Sequence, residues 1–525
     1  MANQYIVANR AQLYLLPPSM EDWLPEGHLA WFVLDVVSTI ERGAFHGRNA
    51  QSGPGRPAYH PDQMLGLLIY AYANGVRSSR QIQRLCASDL AYRVICADQV
   101  PDHATIARFR TDHQEAFKQV FVDVLRLCAT AGLASLGTVA IDGTKMGTDA
   151  GLTANRSAEA IRAEVERILK EAEMTDTNEQ TLFGARVGNQ LPPKLARRSS
   201  RLAHLKAALV ELQAEQTQAE AAAAQRAAAQ QAVAKGNRPR GKRPTKDHHL
   251  ELAHAQINVE VARRRAAEYA AAREAKRAKA AAQGRRVNGR KLELDSRRGR
   301  ELPEAEARLA AAQAAVAEAL RKARVNVTDP QSRLMPTWAG FIQGYNAQTA
   351  VNEHQIVLAC TVTQDTVDTP QFLPVLTAVQ RTAEAAGIGT GIGMVLADAG
   401  YWSPANATAS GPDRLIATTK DNKQRRAARE MGLCTGPPPA DASPLEAMEH
   451  RLRTAEGAAA YALRSQTVEP VYGDIKANLG YRRFMRRGLA AAQGEWDLMC
   501  SIHNLLKLFR HPGRLRPATF VGVTV

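Results

Sequence analysis

The sequence predicts an α/β protein in which a mixed sheet is flanked by helices, with an N-terminal helical domain and a long, basic, helical insertion. Three observations predict it. Helical patterns fill residues 1–132, strands and helices alternate in 133–150 and again in 331–525, and residues 151–330 are rich in Ala, Gln and Arg. Alternating strands and helices are typical of a sheet covered by helices. With 525 residues, 45% of them hydrophobic, the chain can bury a sizeable core, which excludes a wholly disordered protein.

The first 132 residues carry helix-start patterns. Residues 28–40 are amphipathic, and Pro61 suits the first turn of a helix over 62–72. Ser78 and Asp102 are expected to cap two further helices. Short Arg-rich helices with tight connections are compatible with a helix-turn-helix-like DNA-binding module, and an ordinary helical bundle with a polar surface fits equally well.

The remaining alternating segments predict the sheet and its covering helices. Residues 138–143 (TVAIDG) have the pattern of a buried strand that ends in a turn. The later predicted elements are a hairpin over 341–351 and 355–363, a helix over 370–386, strands over 393–398 and 414–419, and helices over 455–509.

The positive charge is concentrated in the insertion. The formal net charge is +16, and residues 156–324 hold 35 Lys and Arg against 21 Asp and Glu. This composition favours long exposed helices, with breaker-rich basic linkers at 235–246 and 284–291. A surplus of this size favours a polyanionic partner such as DNA or RNA. The alternative is a solvated helical arm whose arginines reflect a GC-rich coding bias.

The cysteines and the N-terminus indicate a cytoplasmic protein. The six cysteines lie far apart, without zinc-ligand spacing, and are expected to be reduced thiols. Residues 1–19 lack the pattern of a signal peptide, and the apolar run 64–73 is too short to span a bilayer.

Two acidic residues at predicted strand ends indicate metal-dependent chemistry. Asp142 and Asp398 each close an apolar strand, and ligands gather at the carboxyl ends of strands in sheets with helical crossovers. Converging carboxylates suit Mg²⁺, and a pair of such ions supports in-line displacement at phosphorus. Glu469 is the candidate third carboxylate, and Lys476, two helical turns later, would share its face. Taken singly, each Asp is more often a cap or turn residue.

The chain resembles DDE transposases of bacterial insertion sequences, in the branch with an InsH-type N-terminal domain. The resemblance covers nearly the whole chain. Its most specific motifs are YHPDQM at 59–64, GVRSSR at 75–80, PDHATIARFR at 101–110, AIDGTK at 140–145, GFIQGYNAQ at 340–348, ADAGY at 397–401 and VEPVYGDIK at 468–476.

The resemblance implies a ribonuclease H-like catalytic core and a DDE triad of Asp142, Asp398 and Glu469 that binds two Mg²⁺ or Mn²⁺ ions. The family's Tyr-Arg-Glu-Lys signature falls on Tyr461, Arg464, Glu469 and Lys476. Four residues separate the Arg and the Glu where three are usual. Because each helical residue turns about 100°, we expect Arg464 to point away from its usual face unless a bulge compensates.

Further DNA contacts are expected by the same resemblance. Lys476 resembles the family lysine that contacts the transposon-end phosphate, and Trp402 resembles a tryptophan that stacks a flipped base. Lys145 is a candidate phosphate contact. A core aromatic residue and a surface lysine are the ordinary alternatives for Trp402 and Lys145. Arg80, Arg108 and Arg110 are the DNA-binding candidates of the N-terminal domain.

The expected function is transposition by a cytoplasmic, nucleoid-associated enzyme. The chain would bind the terminal inverted repeats, cut the transposon end by metal-dependent hydrolysis, and transfer the freed 3′-OH to target DNA, most simply as a homodimer on DNA. A metal-dependent nuclease with the same core, or a DNA-binding protein that has lost the chemistry, are the two alternatives.

Overall fold

The chain divides into two compact units. The computed structural model describes residues 19–46, 58–183, 193–233, 247–284, 297–389, 391–420, 430 and 432–512. The main unit comprises residues 1–150 and 332–525, and the insertion unit comprises residues 151–331. Residues 235–246 and 285–291, where breaker-rich linkers are predicted, lie outside the described residues.

Helices fill the described part of the chain before the first long strand. They are α1 Leu29–Thr39, α2 Gly43–His46, α3 Pro61–Ala73, α4 Ser79–Ser88, α5 Leu90–Ile95, α6 His103–Asp112 and α7 Phe117–Thr130. The predicted caps are confirmed, since Ser78 Oγ accepts from Gln81 N (3.4 Å) and Asp102 Oδ1 accepts from Ala104 N (2.9 Å). The apolar faces of these helices join one hydrophobic core with the sheet that begins at β1, Thr138–Gly147.

The insertion unit is built from long helices and one short ribbon. Its elements are β2 Asn155–Ser157, α8 Ala158–Phe183, α9 Pro193–Val233, α10 His248–Ala282, α11 Arg297–Lys322 and β3 Arg324–Asn326. β2 and β3 pair antiparallel. The apolar packing is sparse, with one small cluster around Ile161, Leu205 and Leu212 and another around Val259.

The sheet of the main unit is mixed. Its later strands are β4 Arg333–Thr337, β5 Gly340–Asn352, β6 Val357–Thr363, β7 Met394–Ala397 and β8 Asp413–Ile416. The strand order is β4-β5-β1-β7-β8, and β6 also pairs with β5. β5 is antiparallel to β1 and β6, which confirms the predicted hairpin, whereas β1, β7 and β8 are parallel.

Helices flank this sheet. They are α12 Phe372–Ala385, α13 Pro404–Thr408, α14 Pro444–Arg453, α15 Ala455–Gly473 and α16 Leu489–Arg510. Asn504 of α16 hydrogen-bonds both the N–H and the C=O of Val357, which docks this buried helix on β6. The mixed sheet flanked by helices confirms the predicted fold class.

The predicted helical stretch 455–509 is interrupted. After α15 the chain forms a π-helical turn, Asp474–Asn478, and continues without a helix until α16. No helix within the described ranges is both long and apolar enough to cross a membrane.

Candidate active site at the strand ends

Asp142 and Asp398 lie side by side on neighbouring strands. Asp398 directly follows β7, whereas Asp142 lies within β1, which continues to Gly147. The turn predicted directly after Asp142 was therefore wrong, because β1 remains paired with β5 beyond Asp142. The parallel register pairs Ile141 of β1 with Ala397 of β7, and each aspartate is the residue that comes directly after its member of this pair in the sequence. Adjacent strands lie about 4.8 Å apart, and equivalent residues of parallel strands point to the same face. Asp398 Oδ1 accepts a hydrogen bond from Gly400 N (2.9 Å), which starts the 3-10 turn Ala399–Tyr401.

Asp142 has a strongly perturbed environment. Its side chain is only 19% exposed, and Oδ1 accepts from Gly143 N (2.7 Å). Burial, followed by the charge of Asp398 and the smaller effect of Asp368, raises the pKa of Asp142 to about 7, although Arg464 opposes the rise. The effects of burial and of the two neighbouring carboxylates on the pKa of Asp142 therefore outweigh the opposing effect of Arg464.

Arg464 joins Asp142 to Glu469. Its guanidinium is 8% exposed and lies 3.3 Å from Asp142 Oδ2 and 3.5 Å from Glu469 Oε1. It also lies over the ring of Tyr461, 6.0 Å from the ring centroid. Arg464 lies in the regular part of α15 and faces both Asp142 and Glu469, so the rotation expected from its spacing does not carry it away from these carboxylates. Glu469, by contrast, is 56% exposed.

Lys476 reaches β1 from the π-helical turn and not from a regular α-helix. Its Nζ donates to Thr144 Oγ1 and to Lys145 O (3.2 Å). Burial and nearby Arg482 lower the pKa of the Lys476 ammonium. The predicted shared face of Glu469 and Lys476 assumed two regular α-helical turns, whereas Lys476 lies in the π-helical turn that follows α15.

The other core candidates lie near the same edge of the sheet. Lys145 Nζ is 3.1 Å from Asp368 Oδ1 and is largely buried, so it is not the ordinary surface lysine. Trp402 is half-buried at the end of the 3-10 turn and packs against the hydrophobic core.

The N-terminal candidates divide into exposed and internal residues. Arg80 of α4 and Arg108 of α6 are exposed. Arg110 is half-buried and donates to Tyr72 OH (3.2 Å), Arg77 O (2.7 Å) and Ser79 Oγ (2.6 Å). Its guanidinium therefore connects α6 to α3 and to the start of α4. This structural role was not part of the expectation that Arg110 contacts DNA.

The carboxylates of Asp142 and Asp398 suit a hard divalent cation, although they do not form a complete set of ligands. Within the described ranges, no three His, Cys, Asp or Glu side chains are close enough to hold a metal ion. Asp142 and Asp398 would supply adjacent oxygen ligands to such an ion, and the crowding of carboxylates that raises the pKa of Asp142 is what a divalent cation would relieve. Arg464 lies between Asp142 and the third expected ligand, Glu469.

Two residues of the site had no role in the sequence-based prediction. Tyr472 OH donates to Asp142 O (2.6 Å) and accepts from Thr349 Oγ1 (2.8 Å), which fixes α15 against β1 and β5. Its position three residues after Glu469 could have indicated it, since helical residues three apart share a face. Asp368 lies outside the motifs on which the resemblance depends, and only the fold places it beside Asp142.

Two segments of the chain match known families. Residues 18–112 match the family described as Transposase domain (DUF772), and residues 439–509 match the family described as Transposase DDE domain. The second segment contains Tyr461, Arg464, Glu469 and Lys476, whereas Asp142 and Asp398 lie outside both. No curated protein and no solved structure matches the chain.

Proposed function

We propose that the chain binds terminal inverted repeats and catalyses metal-dependent DNA cleavage and strand transfer. The basis is that both family matches support a DDE transposase of an insertion sequence. The observation that carries this proposal is the position of Asp142 and Asp398 next to each other on the adjacent strands β1 and β7, with Arg464 linking Asp142 to Glu469.

The topology supports a ribonuclease H-like core. The antiparallel strands β6, β5 and β1 are continued by the parallel strands β7 and β8. Asp142 lies within the central strand β1, and Asp398 directly follows its neighbour β7. The long insertion enters after β1 and returns before β4, so the sheet is assembled from segments on either side of it.

Each residue of the site has a role in the proposed reaction. Asp142, Asp398 and Glu469 would hold two Mg²⁺ or Mn²⁺ ions, which supply Lewis acidity toward the phosphodiester when bound. Tyr472 and Arg464 orient Asp142, while Lys476 and Lys145 place positive charge where phosphate oxygens would lie. Water attacks the phosphodiester at the transposon end, and the freed 3′-OH then attacks target DNA.

DNA recognition is assigned to surfaces outside the catalytic residues. The N-terminal helices, with Arg80 and Arg108 exposed, are proposed to bind the repeats. The second half of α10 is almost fully exposed and carries Arg265, Lys276 and Arg277, which suits contact with flanking phosphates or with a second copy. Two transposon ends must be joined, so a homodimer on DNA is the simplest active assembly.

The direct test is incubation of labelled repeat-end DNA with the protein and Mg²⁺. Joined products support transposition, cuts without joining would indicate a nuclease, and binding alone would indicate a DNA-binding protein. We expect Asp142→Ala and Asp398→Ala to abolish cleavage while DNA binding stays nearly unchanged. Glu469→Gln should also abolish cleavage, whereas Glu456→Gln, an exposed position on the same helix, should not. Unchanged cleavage in the Asp142 and Asp398 variants would reject the proposed triad.

The role of α10 is tested by the salt dependence of DNA binding. Each phosphate contact contributes about 0.9 to the slope of log K against log salt concentration. Replacing Arg265, Lys276, Arg277 and Lys279 with Gln should therefore lower the slope by up to about 4 on long DNA. DNA trimmed to the repeat should show no difference between wild type and variant. An unchanged slope together with loss of dimers would assign α10 to subunit pairing.

A further inference from the structure

The polar residues of the 340–348 motif are buried on β5 although none of them belongs to the proposed triad. Asn346 and Gln348 are both fully buried. Buried amides must be hydrogen-bonded, because an unpaired polar group in the interior is costly. Their partners therefore indicate what this part of the motif does.

Both amides converge on one carboxylate oxygen. Asp368 Oδ1 accepts from Asn346 Nδ2 (2.7 Å), Gln348 Nε2 (2.8 Å) and Lys145 Nζ (3.1 Å). The other oxygen, Oδ2, faces Gly400 of the turn that follows Asp398. Asp368 is thus held through one oxygen by β5 and β1, while its second oxygen points toward the neighbouring strand end.

Two glycines create the space that Asp368 occupies. A Cβ atom added to Gly143 would lie 2.5 Å from Asp368 Oδ1 and would also meet the Gln348 amide. A Cβ atom added to Gly400 would lie 3.0 Å from Asp398 Oδ1 and 3.3 Å from Asp368 Oδ2. The Asp368 carboxylate therefore lies between Gly143, next to Asp142 on β1, and Gly400, in the turn after Asp398.

Further hydrogen bonds extend this network to the turn after β7. Tyr401 OH donates to Gln348 Oε1, and Thr369 Oγ1 donates to Gly400 O (2.7 Å). Strand β5, the segment around Asp368 and the turn after Asp398 are consequently one connected unit. An uncharged side chain could also join these elements by hydrogen bonds. A further reason is therefore needed for a carboxyl side chain at position 368, close to Asp142 and Asp398.

We propose that Asp368 is a positioning residue for the reaction, which holds β1 next to the turn after β7 and fixes Lys145 beside the reacting phosphate. This inference rests on the proposed function. Residues that hydrogen-bond to catalytic or ligating groups typically change activity or metal affinity by about 10-fold to 100-fold when they are replaced.

The test compares Asp368→Asn with Asp365→Asn. Asn keeps the size of Asp368 and an oxygen that accepts hydrogen bonds, but it removes the charge and places an amide where Oδ2 faced Gly400. Asp365 lies in the same segment, is exposed, and accepts from Gln371 Nε2 (2.6 Å), so it is a matched control. We expect Asp368→Asn to lower single-turnover cleavage by about 10-fold to 100-fold and to weaken Mn²⁺ binding, measured by electron paramagnetic resonance without DNA. The control should keep the wild-type rate and Mn²⁺ affinity.

Lys145→Met supplies a second variant that leaves the carboxylate in place. It should slow cleavage about 10-fold, and combining it with Asp368→Asn should cost less than the product of the two single effects, because the residues act together. If Asp368→Asn fails to fold, the cleavage rate of Lys145→Met tests the inference instead. A wild-type cleavage rate in Lys145→Met would overturn it.

The outcomes separate this inference from the proposed function. Wild-type cleavage and Mn²⁺ binding in Asp368→Asn, together with loss of cleavage in Asp142→Ala, would overturn the role of Asp368 and leave the function intact. Unchanged cleavage in Asp142→Ala would overturn the proposed function itself.

Discussion

The main unit and the insertion unit place their charged side chains in opposite ways. The main unit contains buried ion pairs that join distant segments, such as Arg464 with Asp142 and Arg77 with Glu495. In the insertion unit, pairs such as Arg321 with Glu318 are exposed and lie one turn apart on the same helix. Buried pairs tie elements into one geometry, whereas exposed pairs leave the charge available to solvent and to a polyanion.

The same contrast appears in the apolar packing. The main unit buries large side chains, including Trp496, Tyr345 and Phe484, between the sheet and its helices. Among its described residues, the insertion unit has only small clusters, such as the one around Ile161 and Leu205. A site that must hold carboxylates in fixed positions requires the first kind of packing, and a helical arm that carries charge requires only the second.

The largest expected effect on stability is the loss of the buried guanidinium. Arg464→Met leaves Asp142 beside Asp398 without its cationic partner, and breaking such a pair typically costs about 3–5 kcal/mol. All five tryptophans lie in the main unit, so tryptophan fluorescence in urea reports its free energy of unfolding. Millimolar Mg²⁺ should restore part of the loss, because a cation that binds only the folded state stabilises it.

Arg451→Met is the control for this prediction. Arg451 pairs with Asp413 through partly exposed side chains, and such pairs contribute about 1 kcal/mol or less. Equal losses in the two variants would contradict the distinction between buried and exposed pairs.

The second prediction uses pH. Asp497 of α16 is buried, accepts from Gln493 Nε2 (2.7 Å) and Cys360 Sγ (3.3 Å), and burial raises its pKa to about 6. The folded state therefore binds this proton more tightly than the unfolded state does. Stability from this residue is fully present below about pH 4 and is lost as the pH rises through about 6.

Asp497→Asn mimics the protonated side chain at every pH. We expect the variant to exceed wild type by on the order of 3 kcal/mol at pH 8 and to match it near pH 4, in urea titrations followed by fluorescence. A difference that does not change with pH would mean that the carboxyl does not titrate in this range.

The sequence predicted the strands of the site better than its contacts. The apolar runs before Asp142 and Asp398 were sufficient to predict β1 and β7, because apolar patterning is a local property. The end of β1 was misplaced, because its continuation to Gly147 depends on pairing with the distant strand β5. The contacts of Arg464 with Asp142 and Glu469 could not be derived from its spacing to Glu469 alone. Asp368 had no local pattern, since its role depends on β5, β1 and the turn after β7 meeting in three dimensions.

The third prediction compares two glycines of the main unit. Gly143→Ala would push a methyl group into Asp368 and the Gln348 amide, and forcing extra atoms into packed structure costs about 1–3 kcal/mol. Gly473, at the end of α15, has no atom within 4 Å of an added Cβ and has helical φ and ψ. Gly473→Ala should therefore stabilise the protein by about 0.5–1 kcal/mol. Stabilisation by both changes, in urea unfolding, would show that the space beside Gly143 is not constrained.

The smallest effect is expected in the insertion unit. Hydrogen bonds from Arg321 and Lys322 lower the pKa of Glu318 to about 2, so any stability from this carboxylate is present at neutral pH and lost as the pH falls through 4.5 toward 2. The group is fully exposed, and salt and solvent screen its interactions. We expect hydrogen exchange of the α11 amides at pH 7 and physiological salt to be the same in Glu318→Gln and wild type. Faster exchange confined to α11 in the variant would show that exposed pairs do hold this helix, and the contrast between the two units would then rest on apolar packing alone.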